Sequence, residues 1–118
     1  MEIAWSRLML YNANEVQHEV ETKPGVYRLS TKLADGELYV FYVGEAENLR
    51  LTLFHHLGEE EEDSCIKKNV KYNICYLKFP YLPDPLQRKG IYKYVYEKFK
   101  PECNKSPPPG VPIEVNLS

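Results

Sequence analysis

No apolar run in this chain approaches the roughly 20 residues that a membrane-spanning helix requires. The N-terminus lacks a basic region followed by an apolar one, so neither membrane insertion nor secretion is expected. Cysteine is scarce, and Cys65, Cys75 and Cys103 form neither a C-x-x-C pair nor a ligand set with histidine. An odd count without a secretion signal points to reduced thiols in a cytoplasmic protein rather than to disulfides. No metal site is expected. Internal repeats are absent. A strong excess of basic charge is also missing: the net charge is −2, which weighs against tight DNA binding.

What is present is a single domain's worth of core. The 118 residues are 43% hydrophobic and 27% charged, ordinary for a soluble globular domain with one core. Ten tyrosines supply broad half-polar surfaces suited to strands, to a tyrosine-rich site or to an interface. Charge is unevenly spread: residues 1–63 carry −8 and residues 64–118 carry +6. The basic half offers a face for phosphates, and the polarity equally suits head-to-tail association or a basic protein partner.

The stretch from Gly25 to His56 organises the chain. Gly25-Val26-Tyr27-Arg28-Leu29 and Leu38-Tyr39-Val40-Phe41-Tyr42-Val43 flank Asp35-Gly36, the pattern of a β-hairpin over about 25–30 and 37–43. Gly44 is expected to let the backbone turn closely into a helix. That helix runs from Glu47 or Asn48 to Leu57 with Gly58 as its stop, and Leu49, Leu53 and Phe54 fall on one buried face.

These residues resemble the GIY-YIG nuclease domain. Gly25-Val26-Tyr27 and Tyr42-Val43-Gly44, followed by Asn48-Leu49-Arg50 and His56, match its motifs in order and spacing, and Lys100-Pro101-Glu102-Cys103-Asn104 is similar to the Pro-x-x-Asn ending of its last helix. The resemblance covers residues 22 to 105. It implies an α/β fold: a small, mostly antiparallel three-stranded sheet flanked by helices. It also implies that Tyr27 and Tyr42 are the motif tyrosines, His56 the helix histidine and Asn104 a structural asparagine. The family's arginine position, eight residues beyond Gly44, holds Thr52. Its metal-binding glutamate position, twelve residues before Asn104, holds Tyr92. Threonine carries no positive charge for a phosphoryl transition state, and a phenol with a pKa near 10 is a poor ligand for a hard cation. Loss of such an electrostatic clamp typically costs about 100-fold or more in rate, so Tyr27, Tyr42 and His56 are expected to form a vestigial site.

Elsewhere, Glu59-Glu60-Glu61-Glu62-Asp63 reads as a solvated loop. Val70 to Phe79 alternates as a third strand. A tyrosine-rich helix interrupted by Gly90 spans about Leu86 to Phe99, ending at Pro101. Ser106 to Pro112 is too rich in proline for helix and is expected to lie extended. The domain is therefore placed at 1–105, with an N-terminal extension over 1–22, a core over about 23–105, and a proline-rich tail over 106–118.

Three functions follow from this reading. The first is an inactive GIY-YIG-like domain kept as a nucleic-acid-binding module for DNA or RNA, using Arg50, Lys67, Lys68, Lys71, Arg88, Lys89 and Lys93. The second is a protein-interaction or regulatory module, with a protein partner or self-association. The third is an active endonuclease with relocated groups such as Arg50, Lys67 or Glu97. Only this last reading needs Mg²⁺ or Mn²⁺; otherwise no cofactor is expected. A companion subunit supplying the missing groups would also restore activity.

Overall fold

The hairpin forms as its pattern requires. In a computed structural model describing residues 1–117, strands β2 (Gly25–Lys32) and β3 (Leu38–Ala46) pair antiparallel. Their register places Tyr27 opposite Gly44, and a bulge follows Leu29: Leu29 pairs with Tyr42 and Ser30 with Val40, leaving Phe41 as the extra residue. The hairpin is the middle of a larger sheet. Strand β4 (Cys75–Lys78) pairs with the free side of β2, and a two-residue strand β1 (Met9–Leu10) pairs with β4. The order is β1-β4-β2-β3, antiparallel throughout. The sheet thus has four strands, not three, because the N-terminal Met9–Leu10 segment supplies an edge.

Both faces of this sheet are covered. On one, α1 (Ala13–Glu19), α2 (Leu49–Leu57) and α3 (Ser64–Tyr72) bury Val16, Leu49, Leu53 and Ile66 against Tyr27, Leu29, Phe41 and Leu77. On the other, α4 (Pro85–Phe99) packs Ile91 and Val95 on Val26, Val40 and Val43. Burial on both faces explains why the centre of β3 reads as an unbroken apolar run. Each helix starts on an Asn or Asp whose side chain accepts from an otherwise orphaned backbone N–H: Asn12, Asn48, Asp63 and Asp84.

Several sequence expectations change. Residues 64–72 are helical, and only Cys75–Lys78 of the alternating segment is strand; the pair Ile66 and Val70 is too sparse a stripe to announce a helix. The strand also runs past Gly44 to Ala46. Glycine is needed at 44 because a Cβ there would stand 2.4 Å from the Tyr27 hydroxyl oxygen. Gly90 leaves α4 unbroken and seats the C-terminal segment, since a Cβ would lie 2.5 Å from Ile113 Cδ1. The two ends of the chain are laced together: Ile3 N–H donates to Asn116 Oδ1 at 2.7 Å, Asn116 Nδ2 to Ile3 O at 3.0 Å, and Trp5 Nε1 to Asn116 O at 2.7 Å. Among the described residues, no helix is long and apolar enough to cross a membrane.

The expectation of reduced thiols fails at two of the three cysteines. Cys65, in the first turn of α3, is bonded to Cys103, just past α4, while Cys75 is free and buried. The segment that the bridge holds also caps the edge of the sheet. Cys103 N–H donates to Phe41 O at 2.9 Å, and the Asn104 amide bonds Val43 O at 2.8 Å and Val43 N–H at 3.0 Å. Thiol titration of the chain unfolded without reductant is therefore expected to find one reactive thiol, Cys75, and three after reduction. Three before reduction would contradict the bridge.

Candidate functional site

Tyr27, Tyr42 and His56 converge, though they come from β2, β3 and α2. Without a side chain at Gly44, the Tyr27 ring lies flat across β3 and reaches α2, where its hydroxyl stands 2.7 Å from His56 Nε2. On the far side of the imidazole, Nδ1 is 2.6 Å from Glu61 Oε1. A carboxylate facing Nδ1 keeps the proton on that nitrogen and leaves Nε2 as an acceptor, so the Tyr27 O–H donates to His56. The other Glu61 oxygen is 3.4 Å from His55 Nε2. The Tyr42 ring packs edge-on to His56, with centroids 5.3 Å apart, and lies 6.0 Å from that of Tyr27. Burial, followed by the neighbouring Tyr42, pushes the Tyr27 phenol well above its ordinary value of 10. Burial and then Tyr92 push Tyr42 up to about 12.

Glu61 was hidden within the acidic run. Glu59, Glu60 and Glu62 are exposed, as a solvated loop requires, but Glu61 is only 7% exposed. Gly58 closes α2 and folds the chain back, bringing Glu61 onto the vicinal histidines of the last helical turn. The one sequence clue was His55-His56 followed by a helix-stopping glycine and a carboxylate.

The positions where the resemblance expects arginine and glutamate lie on α2 and α4. Thr52 is half-buried on α2, one turn before His56, and Tyr92 is half-buried on α4. The Tyr92 phenol is raised by burial and by Glu45, with the Asn104 side chain acting in the opposite direction. Glu45 is itself committed, pairing at 2.6 Å with the guanidinium of Arg88. Arg88 is 3% exposed and also donates to Leu82 O at 3.2 Å, so it is a structural cation and not a surface group for phosphates. Arg50 donates from Nε to Val20 O at 2.7 Å and holds α2 to the end of α1. Glu97 lines a separate groove with Tyr94, Lys98 and Pro112.

A divalent cation finds no suitable donor set here. The hard oxygen ligands it prefers are replaced by a neutral phenol at Tyr92, and the nearby Glu45 is neutralised by Arg88. Among the described residues, the one group of His, Cys, Asp or Glu close enough to share an ion is Cys65, Glu102 and Cys103. Its two sulfurs are bonded to each other and cannot act as thiolate ligands.

The remaining lysines sort by helix. Lys67, Lys68 and Lys71 are exposed on α3, whereas Lys89 is exposed and Lys93 half-buried on α4. Lys67, Val70 and Lys71 line one wall of a cleft of about 250 Å³ whose other wall is His56, Leu57, Gly58 and Glu59. The tyrosine–histidine cluster therefore adjoins an opening rimmed by two ammonium groups.

The raised phenols set an alkaline limit. Tyr27 and Tyr42 ionise near pH 10 in the unfolded chain but higher in the folded one, so between those values the native state holds more protons. Stability is expected to be unaffected by them below pH 10 and to fall as pH rises from 10 through about 12. Absorbance of tyrosinate followed beside circular dichroism checks this: the last phenols should ionise together with unfolding. Full ionisation of all ten tyrosines at pH 11 in a folded chain would contradict the burial.

Comparison with known proteins supplies a fold. No family model and no curated protein matches the sequence. Solved structures do match: the magnesium-bound GIY-YIG N-terminal endonuclease domain of UvrC from Thermotoga maritima is 16% identical, with a TM-score of 0.60 over 77% of this chain and 92% of that one. A tyrosine-to-phenylalanine mutant of the same domain, bound to the catalytic divalent cation, gives 16% identity and a TM-score of 0.60 over 80% of this chain and 96% of that one. Nearly the whole of that domain is thus matched, and the chain has the fold of a GIY-YIG nuclease domain.

Proposed function

We propose that this is a GIY-YIG-like domain that does not hydrolyse phosphodiesters and binds nucleic acid along α3. The carrying observation is that both nitrogens of His56 are occupied internally, by Tyr27 and by Glu61, while the cleft beside it is rimmed by Lys67 and Lys71. A histidine held this way has no free nitrogen for substrate. Thr52 and Tyr92 supply neither the positive charge nor the metal that phosphoryl transfer needs. What remains is electrostatic attraction for a phosphate backbone, opposed in part by the exposed Glu59, Glu60 and Glu62. That opposition supports moderate, strongly salt-dependent binding rather than tight binding.

A protein partner is the second reading, supported by a different region. Leu86 and Val111, each 81% exposed, flank a mainly apolar groove with Pro109 and Gly90 between α4 and the proline-rich tail.

Fluorescence anisotropy with a labelled oligonucleotide tests the first reading. Binding at low salt should weaken linearly in log–log form as salt rises, by release of counterions. Lys67→Ala and Lys71→Ala should each lower the magnitude of the salt slope by about 1. Absence of binding at low salt by the folded protein would overturn the reading and leave the apolar groove as the better lead.

A further inference from the structure

Helix α3 has a second flank, facing away from the histidine cleft. Ser64, Cys65, Lys68, Asn69, Tyr72 and Asn73 line it, together with Glu102, around a groove of about 640 Å³. That volume lies within the roughly 300–1,000 Å³ of small-ligand sites. Its wall is unusual for a surface: Tyr72 is 71% exposed, with the Lys71 ammonium 5.4 Å from its ring centroid.

Nothing in the fold requires a tyrosine there, because the burial of α3 is carried by Ile66. The groove's other groups are polar. The Asn69 amide donates to Cys65 O at 3.0 Å and accepts from Asn73 Nδ2 at 3.4 Å, which links the two amides along the groove that Tyr72 also lines. Glu102 is exposed at the far wall and, as a carboxylate, accepts only. The Cys65–Cys103 bridge joins the two walls and fixes their separation.

We infer that this groove takes one unpaired base of a single-stranded nucleic acid. The base would stack on Tyr72, its edge would meet the Asn69, Asn73 and Glu102 groups, and Lys68 and Lys71 would hold the flanking phosphates. This rests on the proposed binding along α3 and names its substrate class. An aromatic face beside lysines is sequence-tolerant, since every base has a π-face. A base inside a duplex has both faces covered by its neighbours, so stacking selects single strands. The carboxylate wall adds a preference for bases that present an exocyclic amine, as cytosine N4 does to an acidic side chain.

The test compares anisotropy titrations of single-stranded DNA, single-stranded RNA and duplex DNA of equal length, using wild type, Tyr72→Ala, Tyr72→Phe and Lys67→Ala/Lys71→Ala. Tyr72→Ala is expected to weaken single-strand binding about 5- to 100-fold and to change duplex binding less than twofold; Tyr72→Phe should retain wild-type affinity within about threefold. The double lysine variant should weaken all three substrates. If the lysine variant weakens binding while Tyr72→Ala leaves single-strand affinity unchanged, or lowers duplex affinity equally, the base site is overturned and the α3 reading stands. If wild type binds no oligonucleotide at low salt, both fall. Self-association abolished by Tyr72→Ala, without oligonucleotide binding, would reassign the groove to a protein contact. The DNA and RNA arms separate the two sugars.

Discussion

One hydrogen bond, from the Tyr27 hydroxyl to His56 Nε2, joins the sheet to α2, and much of the molecule is arranged around it. It requires glycine at 44, because any side chain there would occupy the phenol's path. It requires a carboxylate on the other imidazole nitrogen to hold the tautomer, and Glu61 provides it at 2.6 Å. Bringing Glu61 inward draws the acidic segment over the end of α2 and delivers Asp63 to the start of α3, where it caps two backbone N–H groups. A buried carboxylate is costly unless bonded; here two histidines bracket it. The phenol, imidazole and carboxylate form a closed internal chain.

The same closure occupies both ring nitrogens of His56. A reacting group must reach the substrate, and hydrolysis of a phosphodiester must be met by positive charge where negative charge develops. Around the tyrosine pair, burial is the main cause of the raised phenols, and the nearby charges add to it: Asp63 and Glu61 at Tyr42, and Glu45 at Tyr92. Arg88 is committed to Glu45. Electrostatically these surroundings favour the neutral phenols of Tyr27, Tyr42 and Tyr92. One helix away, on α3, Lys67, Lys68 and Lys71 are exposed, with Lys67 Nζ donating to Glu59 O at 3.2 Å.

How much of this was legible in the sequence depended on whether the cause was local. The hairpin, α2 and α4 are each encoded by the spacing of their own apolar residues and by adjacent turn or cap residues, and the sequence places them within a few positions. The strand β1 and the helix α1 are short, and only their contacts stabilise them; α1 buries one residue, Val16. For α3, a lysine-rich face and two apolar positions said little, and the alternation after Val70 masked its C-terminal turn. The Cys65–Cys103 bridge and the burial of Glu61 are decided by partners brought together through folding. Arg88 illustrates the same limit: its type announces a surface cation, yet its position on α4 aims it at Glu45. The alignment of Tyr27, Tyr42, His56 and Asn104 was readable because motif order carries long-range information that periodicity does not.

The most direct test of the central claim is cleavage of supercoiled plasmid with Mg²⁺ or Mn²⁺, by wild type and by an identically prepared Tyr27→Phe variant. The account predicts no cleavage by either folded protein. Nicking by wild type that disappears in the variant would contradict it, by showing that the phenol at the centre of the hydrogen-bonded chain still reaches a phosphodiester.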